Sequence, residues 1–473
     1  MASLGRDGLV DRMSPLDEGF LHLEDRHTSL HIASLSLFEG PPPDHDQLTA
    51  LYTRKLPLVP RYRQRVVPVP LDLGRPVWVD DPHFDLDYHL RRTALAHPGG
   101  DVELRRLVGR LMSQQLDRGK PLWEAWVVEG LAGDRWALVS KVHHSMVDGI
   151  AGTDLLSRVL DTSPDSSDAP VAAPLEVAAW HPGEPPGGVE LVADALRERG
   201  LGMLAAAPLR AALTSPRRAG SLALTTARGL AGYAANLRPV PASSLVGPLG
   251  PHRRFRWGAV GLEDVRAVRA AHGGTINDVV LALVTGGFRE LLLSRQEPPR
   301  RAAVRSLVPV SVRHADQRGR LDNRVSAILA DLPVEVADPV ERYAEVVARM
   351  RRLKGAAEAE AGEALTTAAG WVATPVLASA LHLAFRVPHR NLTTVTTNVP
   401  GPRQVLWACG RRMLATYPYV PIADRLRTGV AVTSYDDALA FGVTADRDSV
   451  PDVDVLLHGL LAAVDELRPA PVP

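Results

Sequence analysis

Residues 121 to 149 restrict the fold more than any other stretch. Pro121-Leu122-Trp123-Glu124-Ala125-Trp126-Val127-Val128 and Arg135-Trp136-Ala137-Leu138-Val139-Ser140-Lys141-Val142 are rich in β-branched and aromatic residues, and Gly130-Leu131-Ala132-Gly133-Asp134 lies between them. This predicts an antiparallel hairpin whose second strand runs into His143-His144-Ser145-Met146-Val147-Asp148-Gly149. Period two puts Trp136, Leu138, Val142 and His144 on one face of that strand, with Val139, Lys141 and His143 on the other. The two histidines are therefore expected to do different jobs.

A neutral imidazole takes a proton from a hydroxyl, amine or thiol as that group attacks a carbonyl. Asp148 follows the turn too closely to be assigned as the partner of His144. A buried carboxylate there is expected instead to hold the loop through an arginine, with Gly149 permitting a φ the turn needs. An isolated histidine pair is more often structural than catalytic. A metal site is disfavoured, because adjacent strand residues face opposite ways and Asp148 is the only close acid.

The 473 residues exceed one compact core and predict about two domains. Hydrophobic content of 45% and charged content of 23% are those of an ordinary globular protein. A formal net charge of zero provides no global field for nucleic acid. Only Lys55, Lys120, Lys141 and Lys354 are lysines, a bias given no functional weight. Cys409 is the single cysteine, which excludes an internal disulfide framework and a cysteine-rich metal site, and a reducing cytosol is the expected location. Met1 to Gly8 lacks the apolar core of a signal peptide, and the most apolar run, Ala364 to Phe385, is broken by threonines, Ser379, His382 and Pro375. Peripheral membrane contact stays open on these grounds.

Along the chain, Ser14 caps a helix with Pro15 in its first turn, residues 31–38 alternate as a strand, and residues 44–56 read as a helix. Trp78-Val79 and residues 83–89 read as extended, residues 102–116 as a helix, and residues 150–160 as another. Between Thr162 and Gly188 the composition turns to Pro, Ser, Asp, Ala and Gly, a linker. The segment beyond it, to Asn236, is Ala/Leu-rich and helical. Residues 191–256 carry ten arginines against Asp194 and Glu198, a local charge of +8. A solvated face explains that charge, and an anionic lipid or a substrate's phosphates would also match it. The second half offers strands at 255–260, 307–313, 323–330 and 391–398, helices at 262–271 and from Thr275, and a hairpin of 429–435 and 438–445 about Asp436-Asp437. The expected division is 1–161, a first lobe; 162–190, the linker; 191–245, a basic helical segment; and 246–473, a second lobe.

Seven stretches in this order resemble the bacterial wax ester synthase/acyl-CoA:diacylglycerol acyltransferases: Ser14-Pro15-Leu16-Asp17, Pro121-Leu122-Trp123, His143 to Gly149, Asn277-Asp278-Val279, Pro309 to Arg313, Asn323-Arg324-Val325-Ser326 and Asn398-Val399-Pro400-Gly401-Pro402. The histidine motif alone also admits peptide-synthetase condensation domains and chloramphenicol acetyltransferase relatives; the other stretches narrow it. The resemblance implies a two-lobed, chloramphenicol-acetyltransferase-like α/β (α+β) fold, each lobe a mixed β-sheet with helices and an active-site tunnel between them. It implies His144 as general base toward an acyl thioester, with His143 and Asp148 positioning the loop and Gly149 in its turn. Arg313 is then the expected partner of Asp148.

Asn277 is the candidate donor for the oxyanion or the acceptor, with helix capping an equal explanation for it and for Asp278. Trp123, Ser311, Asn398, Pro400 and Gly401 are candidate substrate-binding positions, although Trp123 fits interface packing better and Pro400 and Gly401 look like turn geometry. Val246 stands where the family commonly has asparagine, so no polar contact is carried over there. The expected substrates are acyl-CoA, as co-substrate rather than resident cofactor, and a lipid alcohol: diacylglycerol first, a long-chain or specialised alcohol second. No cofactor, metal or nucleic acid is expected. A contrasting expectation is an idle protein that coats lipid droplets or binds acyl chains, which would have no need of a general base. The cytoplasm, with peripheral contact at the inner membrane or lipid droplets, is the expected setting.

Overall fold

The computed structural model describes residues 11–146, 152–167, 180–205, 240–311, 325–367 and 391–469. Ser14 accepts a hydrogen bond from the Asp17 amide at 3.2 Å and Pro15 fills the first turn, so helix α1 (Pro15–Leu23) starts where the sequence predicts. Strand β1 (His31–Glu39) follows, then α2 (His45–Lys55), which opens with a capping box between Asp44 and Gln47. Next come β2 (Gln64–Val67), β3 (Val77–Asp80), the single turn α3 (Leu86–His89), β4 (Leu90–Ala94) and α4 (Asp101–Ser113). The extended reading of residues 83–89 gives way at α3, because the Asp85 carboxylate accepts from the Asp87 amide and bends the chain into a turn. The predicted hairpin is present as β5 (Trp123–Leu131) and β6 (Arg135–His143), with Trp123 opposite Val142 and Asp134 at φ 49° in the turn. Helices α5 (Gly152–Val159) and α6 (Gly188–Ala205) complete the first half, so the basic helical reading of 191–236 lies within the described residues only as far as Ala205.

The second half contains β7 (Arg253–Gly261), α7 (Leu262–His272), α8 (Ile276–Ser294), β8 (Val304–Ser311), β9 (Val325–Leu332), α9 (Pro339–Thr367) and β10 (Thr394–Val399). After it come β11 (Trp407–Ala408), β12 (Arg411–Tyr419), β13 (Thr428–Tyr435), β14 (Ala438–Asp446) and α10 (Val453–Leu467). The predicted hairpin turn is the one at Asp436, whose φ is 53°.

Among the described residues the strands form two six-stranded sheets, one in the order β11-β12-β1-β6-β5-β4 and one in the order β7-β14-β13-β10-β8-β9, besides the β2-β3 pair. The first sheet is not built from the first half alone. β12 crosses over from the second half to pair antiparallel with β1, matching Ala33 to Tyr419 and Leu37 to Ala415. One face of this sheet packs Trp136, Leu138, Val142, Val127 and Trp123 into the core of the first lobe. Its other face joins Ala137, Val139 and Leu35 to Leu104, Leu107 and Met112 of α4, and to Phe255, Trp257 and Tyr419, which makes a cluster shared by the two lobes. The second lobe buries Val279, Val280, Leu281, Leu283, Val284 and Phe288 of α8 completely. Each contributes about 1.5–3 kcal/mol of burial. α8 crosses α10 closely because Gly287 has no side chain: a Cβ there would lie 2.6 Å from the Leu456 carbonyl oxygen.

Candidate active site

Strand β6 brings both histidines to its end. His143 is the last strand residue, paired with His31 of β1, while His144, Ser145 and Met146 form a 3-10 turn. The alternation of faces holds, since even-numbered Trp136, Leu138 and Val142 enter the first-lobe core and odd-numbered Ala137 and Val139 face the shared cluster. The strand stops one residue before His144, so that side chain is set by the turn and not by the pleat.

His143 is 1% exposed. Its Nδ1 accepts from the Ser145 amide at 3.1 Å and lies 2.7 Å from the Ser145 hydroxyl. A ring nitrogen that accepts leaves the proton on the other, so the neutral ring carries Nε2–H. That nitrogen lies 3.8 Å from Oε2 of Glu24. Burial pushes the His143 pKa down to about 3 against the pull of Glu24, with the fields of His31, His144 and Arg118 adding to the fall.

Glu24, immediately after α1, was not anticipated from the sequence. Its carboxylate is 2% exposed and accepts from His31 Nε2 at 3.1 Å, Arg118 Nη2 at 2.9 Å and the Leu30 amide at 3.3 Å. Burial alone would raise its pKa, but the hydrogen bond from His31, the fields of His31 and His143, and Arg118 hold it at about 2. Beside it Lys141, also 1% exposed, donates to the carbonyls of Leu111 and Gln114 at the C-terminal end of α4, where a cation is favoured. No local motif marks these groups; the one available signal was three ionisable residues, His31, Lys141 and His143, on strands that read as apolar.

His144 is partly exposed. Its amide donates to the Leu30 carbonyl at 2.9 Å, and its ring lies 4.1 Å, centroid to centroid, from that of Phe20 on α1. Burial lowers its pKa from 6.5 to about 4, so the imidazole is unprotonated at neutral pH and able to accept a proton.

In the second lobe, Thr275 caps α8 in a reciprocal box: its hydroxyl accepts from the Asp278 amide at 3.3 Å, and the Asp278 carboxylate accepts from the Thr275 amide at 2.8 Å. Asp278, proposed from the sequence as an active-site support, is thus a helix cap. Asn277 is released from that duty, and its Oδ1 accepts from Nδ2 of Asn398 at the end of β10 at 3.3 Å. The structure brings together two groups of expected residues, His143 with His144 and Asn277 with Asn398.

Two substrate-contact assignments, Trp123 and Gly401, need correction. Trp123 is 1% exposed, stacks on Tyr62, His89 and Tyr52, and donates through Nε1 to the Tyr62 carbonyl at 2.8 Å. It belongs to the first-lobe core. A Cβ on Gly401 would fall 1.5 Å from the Ser434 carbonyl oxygen, so the glycine is required by a backbone crossing, and Pro400 beside it is exposed. Ser311 ends β8 opposite Val325. Asp148, Gly149 and Arg313 lie outside the described residues. Among the described residues no helix is long and apolar enough to cross a membrane, and no three His, Cys, Asp or Glu side chains are grouped to hold a metal ion.

With this geometry in place, the relatives of the chain become informative. Residues 13–280 match the wax ester synthase/diacylglycerol acyltransferase catalytic domain, and residues 321–468 match the C-terminal domain of the same proteins. The chain is 40% identical over 460 residues, 97% of its own length and 96% of the other's, to a Mycobacterium tuberculosis protein named "Probable diacyglycerol O-acyltransferase tgs1". It is similar to the solved wax ester synthase/diacylglycerol acyltransferase of Marinobacter aquaeolei, with a TM-score of 0.64 and 28% identity across 96% of this chain and 98% of that one. A condensation domain of the calcium-dependent antibiotic synthetase shares the fold at a TM-score of 0.56 and 18% identity, covering 98% of this chain and 97% of that one.

Proposed function

The chain belongs to the wax ester synthase/diacylglycerol acyltransferase family and is an acyltransferase; from that premise we propose that it moves a long-chain fatty acyl group from acyl-CoA to diacylglycerol, forming triacylglycerol. The observation that carries the chemistry is His144, unprotonated at neutral pH and held at a strand end against Phe20. His144 takes the proton of the acceptor hydroxyl as its oxygen attacks the thioester carbonyl. The tetrahedral oxyanion collapses, the carbon–sulfur bond breaks, and the imidazolium returns its proton to the leaving CoA sulfur. No resident cofactor enters this scheme.

The oxyanion needs a positioned donor. Asn277 supplies it in this reading, because Asn398 occupies its amide oxygen and leaves its amide nitrogen for the substrate. In this reading Asp148 and Arg313 act as a pair, as the resemblance implies. Full additivity of Asp148→Ala and Arg313→Ala would reject that pairing. The resemblance implies that the substrates meet in a tunnel between the lobes.

Diacylglycerol ranks ahead of a long-chain alcohol because the mycobacterial relative is the more similar in sequence. The Marinobacter protein's name includes wax ester synthesis as well, which keeps that acceptor as the second reading. Purified protein supplied with palmitoyl-CoA and either dioleoylglycerol or hexadecanol, followed by CoA release and product analysis, separates the two. Absence of CoA release with both acceptors, or undiminished turnover in His144→Ala, rejects the function. The protein acts while attached peripherally to the inner membrane or a lipid droplet through its arginine-rich 191–245 segment, a reading supported by that segment's charge. Flotation with anionic vesicles, before and after neutralising Arg210, Arg217 and Arg218, tests it.

A further inference from the structure

We propose that Glu24 is the positioning residue of the histidine pair: it fixes His143 as the Nε2–H tautomer and thereby sets the turn that presents His144. This rests on His144 as the base.

Three connections run from Glu24 to His144. The first passes through side chains. A carboxylate opposite His143 Nε2 favours a proton on that nitrogen, which leaves Nδ1 bare to accept from the Ser145 amide at 3.1 Å. With the other tautomer, Nδ1–H and the Ser145 N–H would confront each other as two donors, and the three-residue turn carrying His144 would lose that hydrogen bond. The second passes through one backbone residue. Glu24 Oε1 accepts from the Leu30 amide at 3.3 Å, and the Leu30 carbonyl accepts from the His144 amide at 2.9 Å. The third is α1 itself, which ends one residue before Glu24 and carries Phe20 onto the His144 ring.

The surroundings fit an anion with this task. Facing or near the carboxylate are His31 from β1, His143 and Lys141 from β6, and Arg118 from the segment after α4, whose guanidinium lies on the solvent side at 52% exposure. Burying a carboxylate among rings is a poor way to gain stability, since well-packed apolar side chains do as well or better. An ionised group there, 3.8 Å from His143 Nε2, instead favours the proton on that nitrogen.

The test is Glu24→Gln, which keeps shape and one acceptor oxygen but removes the charge, with Glu24→Asp as the conservative partner. Glu24→Gln lowers kcat by about tenfold or more while KM for palmitoyl-CoA stays within about twofold, and Glu24→Asp restores part of the loss. Nitrogen-15 NMR of histidine-labelled protein shows His143 protonated at Nε2 in the parent and gaining Nδ1–H in Glu24→Gln. Unchanged kcat in folded Glu24→Gln, or a fall in kcat with the His143 tautomer unaltered, overturns the proposal. So does a parent protein whose His143 carries its proton on Nδ1, a measurement that needs no variant to fold. Because the tautomer is read without turnover, failure of His144 as the base shows separately, as an active His144→Ala.

Discussion

The ring of Phe20 covers that of His144, with centroids 4.1 Å apart and planes 39° from each other. This contact with the first helix adds to the burial that lowers the pKa of the side chain proposed to take a proton from 6.5 to about 4. The site keeps its base unprotonated by limiting its hydration, at the cost of intrinsic basicity.

Opening that cover restores solvent to the imidazole. In Phe20→Ala the His144 pKa rises toward 6.5, and since only the neutral ring accepts a proton, the acid limb of kcat/KM moves to higher pH. The measurement is the pH dependence of kcat/KM in both proteins; superimposable acid limbs would contradict the desolvation argument.

Acid stability has its own prediction. His143, His144 and His89 are pushed down from 6.5 to about 3, 4 and 4, each chiefly by burial. Between those values and 6.5 the unfolded chain binds more protons than the folded one, so stability falls as pH drops below 6.5. Glu24, depressed from 4.5 to about 2, adds a further loss below 4.5 as the unfolded chain takes up its proton first. Melting temperature should decline from pH 6.5 to 4 and continue down, and His89→Gln should flatten the upper part of that decline.

Asn277 and Asp278 are neighbours with different work, and two variants separate them. Asp278→Ala removes half of a capping box and costs about 1 kcal/mol of stability. Asn277→Ala leaves the cap intact and lowers kcat. Asn398→Ala shares that defect through the 3.3 Å bond, so the double variant falls no further than the worse single. Chemical denaturation and turnover measured side by side decide the case, with additive losses in kcat contradicting the shared role.

Trp123 and Gly401 are predicted to report on stability and not on substrate. Trp123→Phe forfeits the bond from Nε1 to the Tyr62 carbonyl and leaves a void, and Gly401→Ala drives a methyl into the Ser434 carbonyl; each costs about 1–3 kcal/mol. KM for palmitoyl-CoA stays at the parent value in whatever fraction remains folded. A raised KM at unchanged melting temperature would return either residue to the substrate's path.

Local pattern was enough for the hairpin and for the opposed faces of β6, because each depends only on period two and turn chemistry; it misplaced His144 on the pleat, since the strand ends at His143 and a 3-10 turn sets that side chain. It could not find Glu24, whose partner Arg118 is 94 residues away and which sits in an unremarkable Leu-Glu-Asp at a helix end. It left Thr275, Asn277 and Asp278 as competing caps, since all three types cap well and only the geometry shows that Thr275 and Asp278 bond each other. It missed β12, where Pro418 and paired arginines obscure the alternation and the partner strand is near the other end of the chain.

The Ser36 and Thr416 hydroxyls meet at 3.0 Å across β1 and β12, joining positions 380 residues apart. During synthesis β1 can pair with β6 early, but its other edge waits until nearly the whole chain has left the ribosome. The first lobe is therefore born with an open, hydrogen-bonding strand beside an apolar face, a species prone to join its own kind. That seam closes only once β12 is made, and any truncation before Arg411 leaves it permanently unsewn.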